Sequence, residues 1–528
     1  MTTKNYFLHT MMPVMLYGAF TGIVTGAVIW GYQFLVEKLL SVSQSLYSFV
    51  NQNLAFLPLL IAGLVVAASL SYLNTQLVPE VKGGGVPYAE GAARGILPLK
   101  WYRVVPAAIF GSFLSFVCGL PLGSEGPSVL IGSALGSGVN DVGSKNNKRR
   151  KSWSTISITA GASAGFAAAL GAPLAGVLLA LEECHKKFSP IVLMSAAVSV
   201  LFALFTGSLL RIATGISEHA LFTFAAVNFE TLDLHLPLIA GVFAGLCGVG
   251  FLKLLTYSIH LMGKIKVSRY VKTVAAFLLS GVACFFFADM IGGGAGVIDA
   301  VGNMAIEWKM IFFLLVMRLF LILFCSSSQI SGGMFIPFLC LGALLGGLLG
   351  NFLVFFGMNE MYYSTIVLVT MCAFLGSLLQ APITAVVLII ELAGGMSPLL
   401  GGMIAIMAAY LVTGLFRAKP AYDEMLENIL KNRNQGKELK FVKVEIIITR
   451  SSHVIGKVLR EILLPFSVTS VQHKHSQGTG EAQYKNYRRW ERIIREGDVI
   501  TLQARTADEQ VLLNNLTDIF GNATIISE

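Results

Sequence analysis

Three segments of this chain bring glycine and proline together where an apolar stretch begins. They are Lys82-Gly83-Gly84-Gly85-Val86-Pro87, Gly123-Ser124-Glu125-Gly126-Pro127 and Ser331-Gly332-Gly333-Met334-Phe335-Ile336-Pro337. A glycine-rich turn that opens a helix leaves backbone N–H groups unpaired at the positive end of the helix dipole. Several such ends aimed at one point form an anion site that contains no full positive charge. Each segment taken singly is equally what close helix packing through small residues looks like. Glu125 tips the choice. A carboxylate among anion-binding N–H groups competes with the anion when ionised and swings away when protonated, so one side chain could exchange an anion for a proton. An ionised carboxylate is costly at membrane depth, which makes it a functional candidate; the structural alternative is a group hydrogen-bonded to a helix start.

Positioning such a site takes a membrane. Of the 528 residues 55% are hydrophobic and 13% charged, where a soluble domain carries about 25% charged residues. A soluble enzyme of this size would lack the polar surface to cover its core. The charge is uneven: from Asp423 onward there are 15 Lys and Arg against 14 Asp and Glu. This implies a large membrane domain followed by a small polar one. The net charge of +9 is therefore no nucleic-acid footprint, and its densest cluster, Lys145, Lys148, Arg149, Arg150 and Lys151, fits a short cytoplasmic loop. The apolar stretch from Met11 to Leu40 is too long for a signal-peptide core and reads as a first transmembrane helix. Ten further apolar stretches follow, 154–181 and 363–393 among them, many broken by Gly-rich or Ala-Pro elements. Such breaks are tolerated at membrane depth only where the backbone is enclosed by protein or lines a watery cavity. The seven cysteines, an odd number without a CxxC, read as buried thiols.

An internal repeat relates two halves, about 1–220 and 235–422. Ala172-Pro173 through Glu182 matches Ala381-Pro382 through Glu391 at an offset of 209. Gly126-Pro127, Gly132 and Gly136 align with Pro337, Gly342 and Gly346 at about 210, and Gly83-Gly84-Gly85 aligns with Gly292-Gly293-Gly294. Corresponding broken segments in two halves point to a substrate site at the repeat interface.

Together the three segments, with Lys419-Pro420-Ala421-Tyr422, resemble the CLC family of chloride channels and chloride/proton antiporters over nearly all of 1–422. The resemblance implies an all-α polytopic membrane protein with two inverted halves of tilted, broken helices, working as a homodimer in a lipid bilayer with one anion path per subunit. It makes Glu125 the gating glutamate, gives anion coordination to the N–H groups of Met334 and Phe335, and makes the Tyr422 hydroxyl a donor to the central anion. It further implies that Gly83, Gly85, Pro87, Gly123, Ser124, Gly126, Pro127, Gly332, Gly333 and Pro337 build the helix starts. At Gly84 the family's chloride-selective members commonly carry Ser; the missing hydroxyl is expected to leave room for water or a larger anion, putting chloride over nitrate in question. Ser124 stands where Lys or Arg often flanks the gate. Antiporters of the family carry an internal proton-transfer glutamate that maps to Glu183, while Glu182, matched by Glu391 in the repeat, reads as structural.

The implied function is secondary-active chloride/proton antiport, with a passive chloride channel, or nitrate or fluoride transport on the same fold, as alternatives. A cation transporter would need carbonyl acceptors where these motifs offer N–H donors. No enzyme, cofactor or metal site is indicated. Gly161-Ala162-Ser163-Ala164-Gly165 matches a nucleophile-elbow pattern, yet no strand precedes it and no base accompanies it. Glu90, Asp299 and Arg318 read as buried structural partners, and His473 and His475 as solvated. After a helical linker at 423–441, residues 442–528 read as strand, turn, helix and strands. Through Ile455-Gly456-Lys457-Val458-Leu459-Arg460-Glu461 and Glu496-Gly497-Asp498-Val499-Ile500 they resemble the C-terminal module of RCK/TrkA regulators, small α+β domains that dimerise and in some relatives sense cyclic di-AMP. These resemblances imply a prokaryotic plasma-membrane protein with a cytoplasmic tail.

Overall fold

The computed structural model describes residues 11–144, 153–185, 189–215, 222, 224, 226–433, 440–449, 452, 454–455, 468–474, 494–506, 509–520 and 524–527. The basic cluster at 145–151 and the expected tail helix at 456–462 lie outside them. Among the described residues eight helical spans are at least 18 residues long and apolar enough to cross a bilayer. The first half runs α1 (Met12–Gln52), α2 (Leu57–Leu77), α3 (Val86–Ala93), α4 (Trp101–Val117), α5 (Glu125–Ser144), α6 (Ser154–Leu170), α7 (Pro173–Leu179) and α8 (Pro190–Thr214). The second runs α9 (His235–Lys264), α10 (Arg269–Phe286), α11 (Ala295–Gly302), α12 (Trp308–Ser327), α13 (Phe335–Phe355), α14 (Tyr363–Leu379), α15 (Pro382–Ala393) and α16 (Leu399–Leu415), before α17 (Ala421–Arg433).

Local chemistry explains where the apolar stretches break. At 154–181 the chain leaves α6 through Gly171 in the left-handed conformation and starts α7 at Pro173. Glycine accepts that cap without steric cost, and proline lacks only an N–H that a first turn does not use. In the second half Gln380 takes the left-handed position (φ 54°) and Pro382 opens α15. The Gln380 side chain then donates to the Ala418 carbonyl, which holds a residue with a Cβ in that conformation.

The repeat is physical as well as sequential. Gly18 and Gly22 on α1 press against the Ser195 and Ser199 carbonyls of α8, and Gly241 and Gly245 on α9 press against Ala405 and Ala409 of α16. The α5–α6 crossing through Gly132 and Gly161 likewise recurs as Gly342 against Met371 between α13 and α14. Only glycine lets two helix backbones approach so closely. Ser163 lies in α6 between Gly161 and Gly165, both packed on α5; close packing accounts for the pattern. Every residue of α14 is buried, as suits a helix that is apolar all round and enclosed by others. The cysteines stand as thiols, all but Cys247 buried.

The described residues of the tail form a four-stranded antiparallel sheet in the order β2 (Val468–Lys474), β3 (Val499–Thr506), β1 (Lys440–Ile447), β4 (Thr524–Ser527). β1 begins inside the stretch read from sequence as linker. Val442, Val444 and Ile446 alternate along β1 and face Ala504, Leu502 and Ile500 of β3. Period-two alternation puts these on one face, where they are buried with Leu512, Leu516 and Phe520 of α18 (Glu509–Phe520). Gly497, at φ 80°, makes the turn into β3 and donates to the Ile448 carbonyl.

Candidate functional site

The three glycine–proline segments meet. Gly123 and Gly333 exchange backbone hydrogen bonds of 2.8 and 2.7 Å as an antiparallel bridge. Gly126 rests on the Gly84 carbonyl, and a Cβ on it would come within 2.6 Å of Gly333 Cα. Ser331 Oγ donates to the Val81 carbonyl (3.0 Å), and Ser115 Oγ to the Ser331 carbonyl (2.6 Å). These contacts lock the turns ahead of α3, α5 and α13 together. Neither Gly85 nor Met334, the residues that open α3 and α13, provides a side-chain cap. The first N–H groups of those helices are therefore left for another acceptor.

Glu125 supplies one. It is buried at the first position of α5 and accepts from Ser124 Oγ at 3.2 Å through Oε1. The backbone N–H groups of Ile336 and of Glu125 itself act on the carboxylate. Its Oε2 lies so close over Gly123 that a Cβ there would overlap it. The side chain is thus folded back among the helix starts. Gly123, Ser124, Glu125 and Ile336 also line a cavity of about 1360 Å³ shared with Gln33 and Glu37 of α1 and the turn Gly292–Gly294. Gly84 adopts φ 91°, and a Cβ there would come within 2.9 Å of the Gly332 carbonyl oxygen. The expected room is occupied by backbone.

Tyr422, the second residue of α17, is buried, its ring centroid 6.3 Å from that of Phe338. Its hydroxyl has no hydrogen-bond partner among the described residues. Glu183, Glu125 and Glu90 are the carboxylates near enough to act on it. Glu183 is buried on the π-helical turn Ala180–His185 that follows α7. The sequence reading missed what holds that turn. Buried Arg94 donates to the carbonyls of Glu183 (3.1 Å) and Cys184 (2.9 Å), pairs with Glu90, and reaches Asp423 at 3.2 Å. One guanidinium therefore ties the Glu183 turn to the start of the Tyr422 helix. The four-residue spacing of Glu90 and Arg94 was the available signal.

Glu182 and Glu391 do related work in exchange. Glu182 accepts from the N–H groups of Ile383 and Thr384 at the start of α15 (3.1 and 2.8 Å), and Glu391 from those of Leu174 and Ala175 at the start of α7 (2.6 and 3.0 Å). All six residues obey the offset of 209, so the contact is its own counterpart across a pseudo-two-fold axis, as the Gly123–Gly333 bridge is at 210. Arg318 donates to the carbonyls of Asp289 and Gly292 and so holds the second Gly-rich turn. No cluster of metal-ligating side chains occurs among the described residues.

Residues 62–414 match the sequence profile of the voltage gated chloride channel family. The chain is a member of that family. An H(+)/Cl(-) exchange transporter ClcA from Vibrio cholerae is 31% identical over 448 residues, 81% of this chain and 93% of the relative. Its namesake from Cronobacter sakazakii is 29% identical over 80% of this chain and 91% of its own length. Among solved structures, a slow cyanobacterial Cl-/H+ antiporter superposes with a TM-score of 0.72 at 25% identity, over 80% of this chain and 99% of that one. A CLC-type fluoride/proton antiporter shares the fold, with a TM-score of 0.64 at 20% identity over 78% of this chain and 98% of that one.

Proposed function

We propose that the chain is a secondary-active antiporter exchanging chloride for protons, gated by Glu125. The observation that carries this reading is the Glu125 carboxylate folded among the starts of α5 and α13, a place built of N–H donors. Ionised, it fills the site; protonated, it loses its attraction to those donors and yields to an anion. In this reading the N–H groups of Met334 and Phe335 and the Tyr422 hydroxyl hold the anion after the gate moves. Glu183 takes protons from the opposite side and passes them towards Glu125. A channel needs no second buried carboxylate, and the buried Glu183 favours coupling. The protein acts as a homodimer in a plasma membrane, with the tail in the cytoplasm as a regulatory module whose ligand is an anionic nucleotide such as cyclic di-AMP.

Reconstitution into liposomes under a chloride gradient tests the reading. Uphill proton movement that disappears in Glu125→Gln and Glu183→Gln, while chloride flux persists, is the expected result. A Nernstian chloride potential without proton movement would make the protein a channel. Flux of nitrate or fluoride but not chloride would reassign the anion. Calorimetric titration of the full chain with cyclic di-AMP tests the tail, and absence of binding heat removes the nucleotide.

A further inference from the structure

The cavity beside Glu125 has one wall that takes no part in the mechanism above. Gly26, Trp30, Gln33, Glu37, Leu40 and Gln44 of α1 all line it. Steps of three and four residues put them on one face of that helix. Three of the six are polar, in a helix otherwise apolar enough to cross a bilayer. Polar groups at membrane depth are costly and mark a functional path unless a partner accounts for them.

Gln33 has no such partner. Its Nε2 is buried and makes no hydrogen bond among the described residues. An unmet buried donor is unfavourable, which suits a group kept for an acceptor that comes and goes. Tyr32, its neighbour, donates to Ser112 Oγ of α4 at 2.9 Å and lies near enough to Glu125 to feel the charge of that carboxylate. The Gln33 carboxamide and the Glu125 carboxylate thus face one cavity at the same level of α1. An inorganic anion is disfavoured at this point, because exposed Glu37 follows one turn later on the same face without an ion pair among the described residues. The other charged groups on the cavity wall are Arg211 of α8 and Glu391 of α15, the latter held by the Leu174 and Ala175 N–H groups.

We infer that the Gln33 carboxamide is the dock that receives the protonated Glu125 side chain when the gate opens. A carboxamide and a carboxylic acid are complementary: Nε2–H donates to the acid's carbonyl oxygen, and the acid's O–H donates to Oε1 of Gln33. The ionised carboxylate has no O–H to give and would meet the amide oxygen as a repulsive neighbour. The dock therefore selects the protonated gate. No bond to hydrogen breaks on docking. When the pair parts, the proton leaves to water in the cavity and the carboxylate returns to the N–H groups of the helix starts. Gln33 is a positioning residue that acts through Glu125, and the inference rests on the gate reading of that glutamate.

The test uses the full chain in liposomes, with Gln33→Met, close in shape, and Gln33→Ala as a second variant. Losing two hydrogen bonds to the open gate should lower initial chloride flux at neutral pH about tenfold. The pH of half-maximal flux should move down by about one unit, since more protons are needed to populate a less stable protonated state. Neither substitution removes a charge, so an altered field from Glu37, Arg211 or Glu391 does not produce that shift. In a Glu125→Ala background, where no gate side chain remains to dock, Gln33→Met should leave chloride flux within about twofold. An equal tenfold loss in that background would make Gln33 a direct anion contact or a structural residue and overturns the inference, as does a parental flux and pH profile in both Gln33 variants. If the parent carries no chloride, the transport reading falls, and infrared difference spectra of the purified protein between acid and neutral pH still decide. The carbonyl band of protonated Glu125, identified by its loss in Glu125→Gln, should move to higher wavenumber in Gln33→Met as its hydrogen bonds are lost. A band that stays in place overturns the dock.

Discussion

Replacing Gly84 with serine restores the residue common in chloride-selective relatives, and by resemblance alone it should sharpen chloride selectivity. The geometry predicts damage instead. At φ 91° an L residue pays a steric penalty of about 1–2 kcal/mol. The added Cβ would meet the Gly332 carbonyl oxygen at 2.9 Å, and overpacking of this kind costs about 1–3 kcal/mol more. Gly84→Ser should therefore lose about 2–5 kcal/mol of stability. The loss should appear as a lower midpoint of thermal unfolding in detergent. Gly84→Ala should lose the same amount, because the Cβ and not the hydroxyl causes the clash. Transport of chloride and nitrate in liposomes should fall together, leaving their ratio unchanged. A Gly84→Ser protein that melts with the parent and favours chloride over nitrate more strongly would refute this reasoning.

Three further outcomes follow from contacts described above. Glu182→Ala and Glu391→Ala each leave two helix-start N–H groups without a charged acceptor, and each should lower stability by about 1–3 kcal/mol; near-equal losses in thermal unfolding would reflect the pseudo-two-fold, and a tenfold disparity would deny it. Arg94→Gln strands the buried Glu90 carboxylate and should cost about 3–5 kcal/mol, much of it recovered in Glu90→Gln/Arg94→Gln; a double variant no better than the single one would remove the charge pair as the cause. In the tail, Leu516→Ala empties a fully buried position on α18 and should cost that module about 2–5 kcal/mol. Limited proteolysis should then cleave the tail first while the membrane helices stay intact, and unchanged cleavage would contradict the packing of α18 on the sheet.

Much of the fold could be read in advance because its causes are local. Pro173 and Pro382 announce helix starts, the glycine runs announce breaks, and an excess of apolar residues leaves only a bilayer as solvent. The offset near 210 exposed the two halves before any contact was known. Glu125 stood out for the same reason: a carboxylate inside a Gly-Pro element is costly at membrane depth, and the structure buries it at a helix start. The tail was less legible. Its first strand starts at Lys440, inside what composition suggested was linker, because pairing with β3 and not local propensity sets that boundary.

What the sequence by itself determined is the membrane class, the repeat, the family resemblance and the residue types available to meet an anion and a proton. Those follow from composition and from motifs whose meaning is carried within a few residues. Tertiary structure decided which groups meet. Only folding brings Gly123 to Gly333 and Glu182 to Ile383 and Thr384, and only folding closes the space at Gly84 with the Gly332 carbonyl. It also sets Arg94 between Glu183 and Asp423. Contacts between residues 89 to 329 positions apart leave almost no trace in a single sequence, because each partner is an ordinary residue until the other arrives.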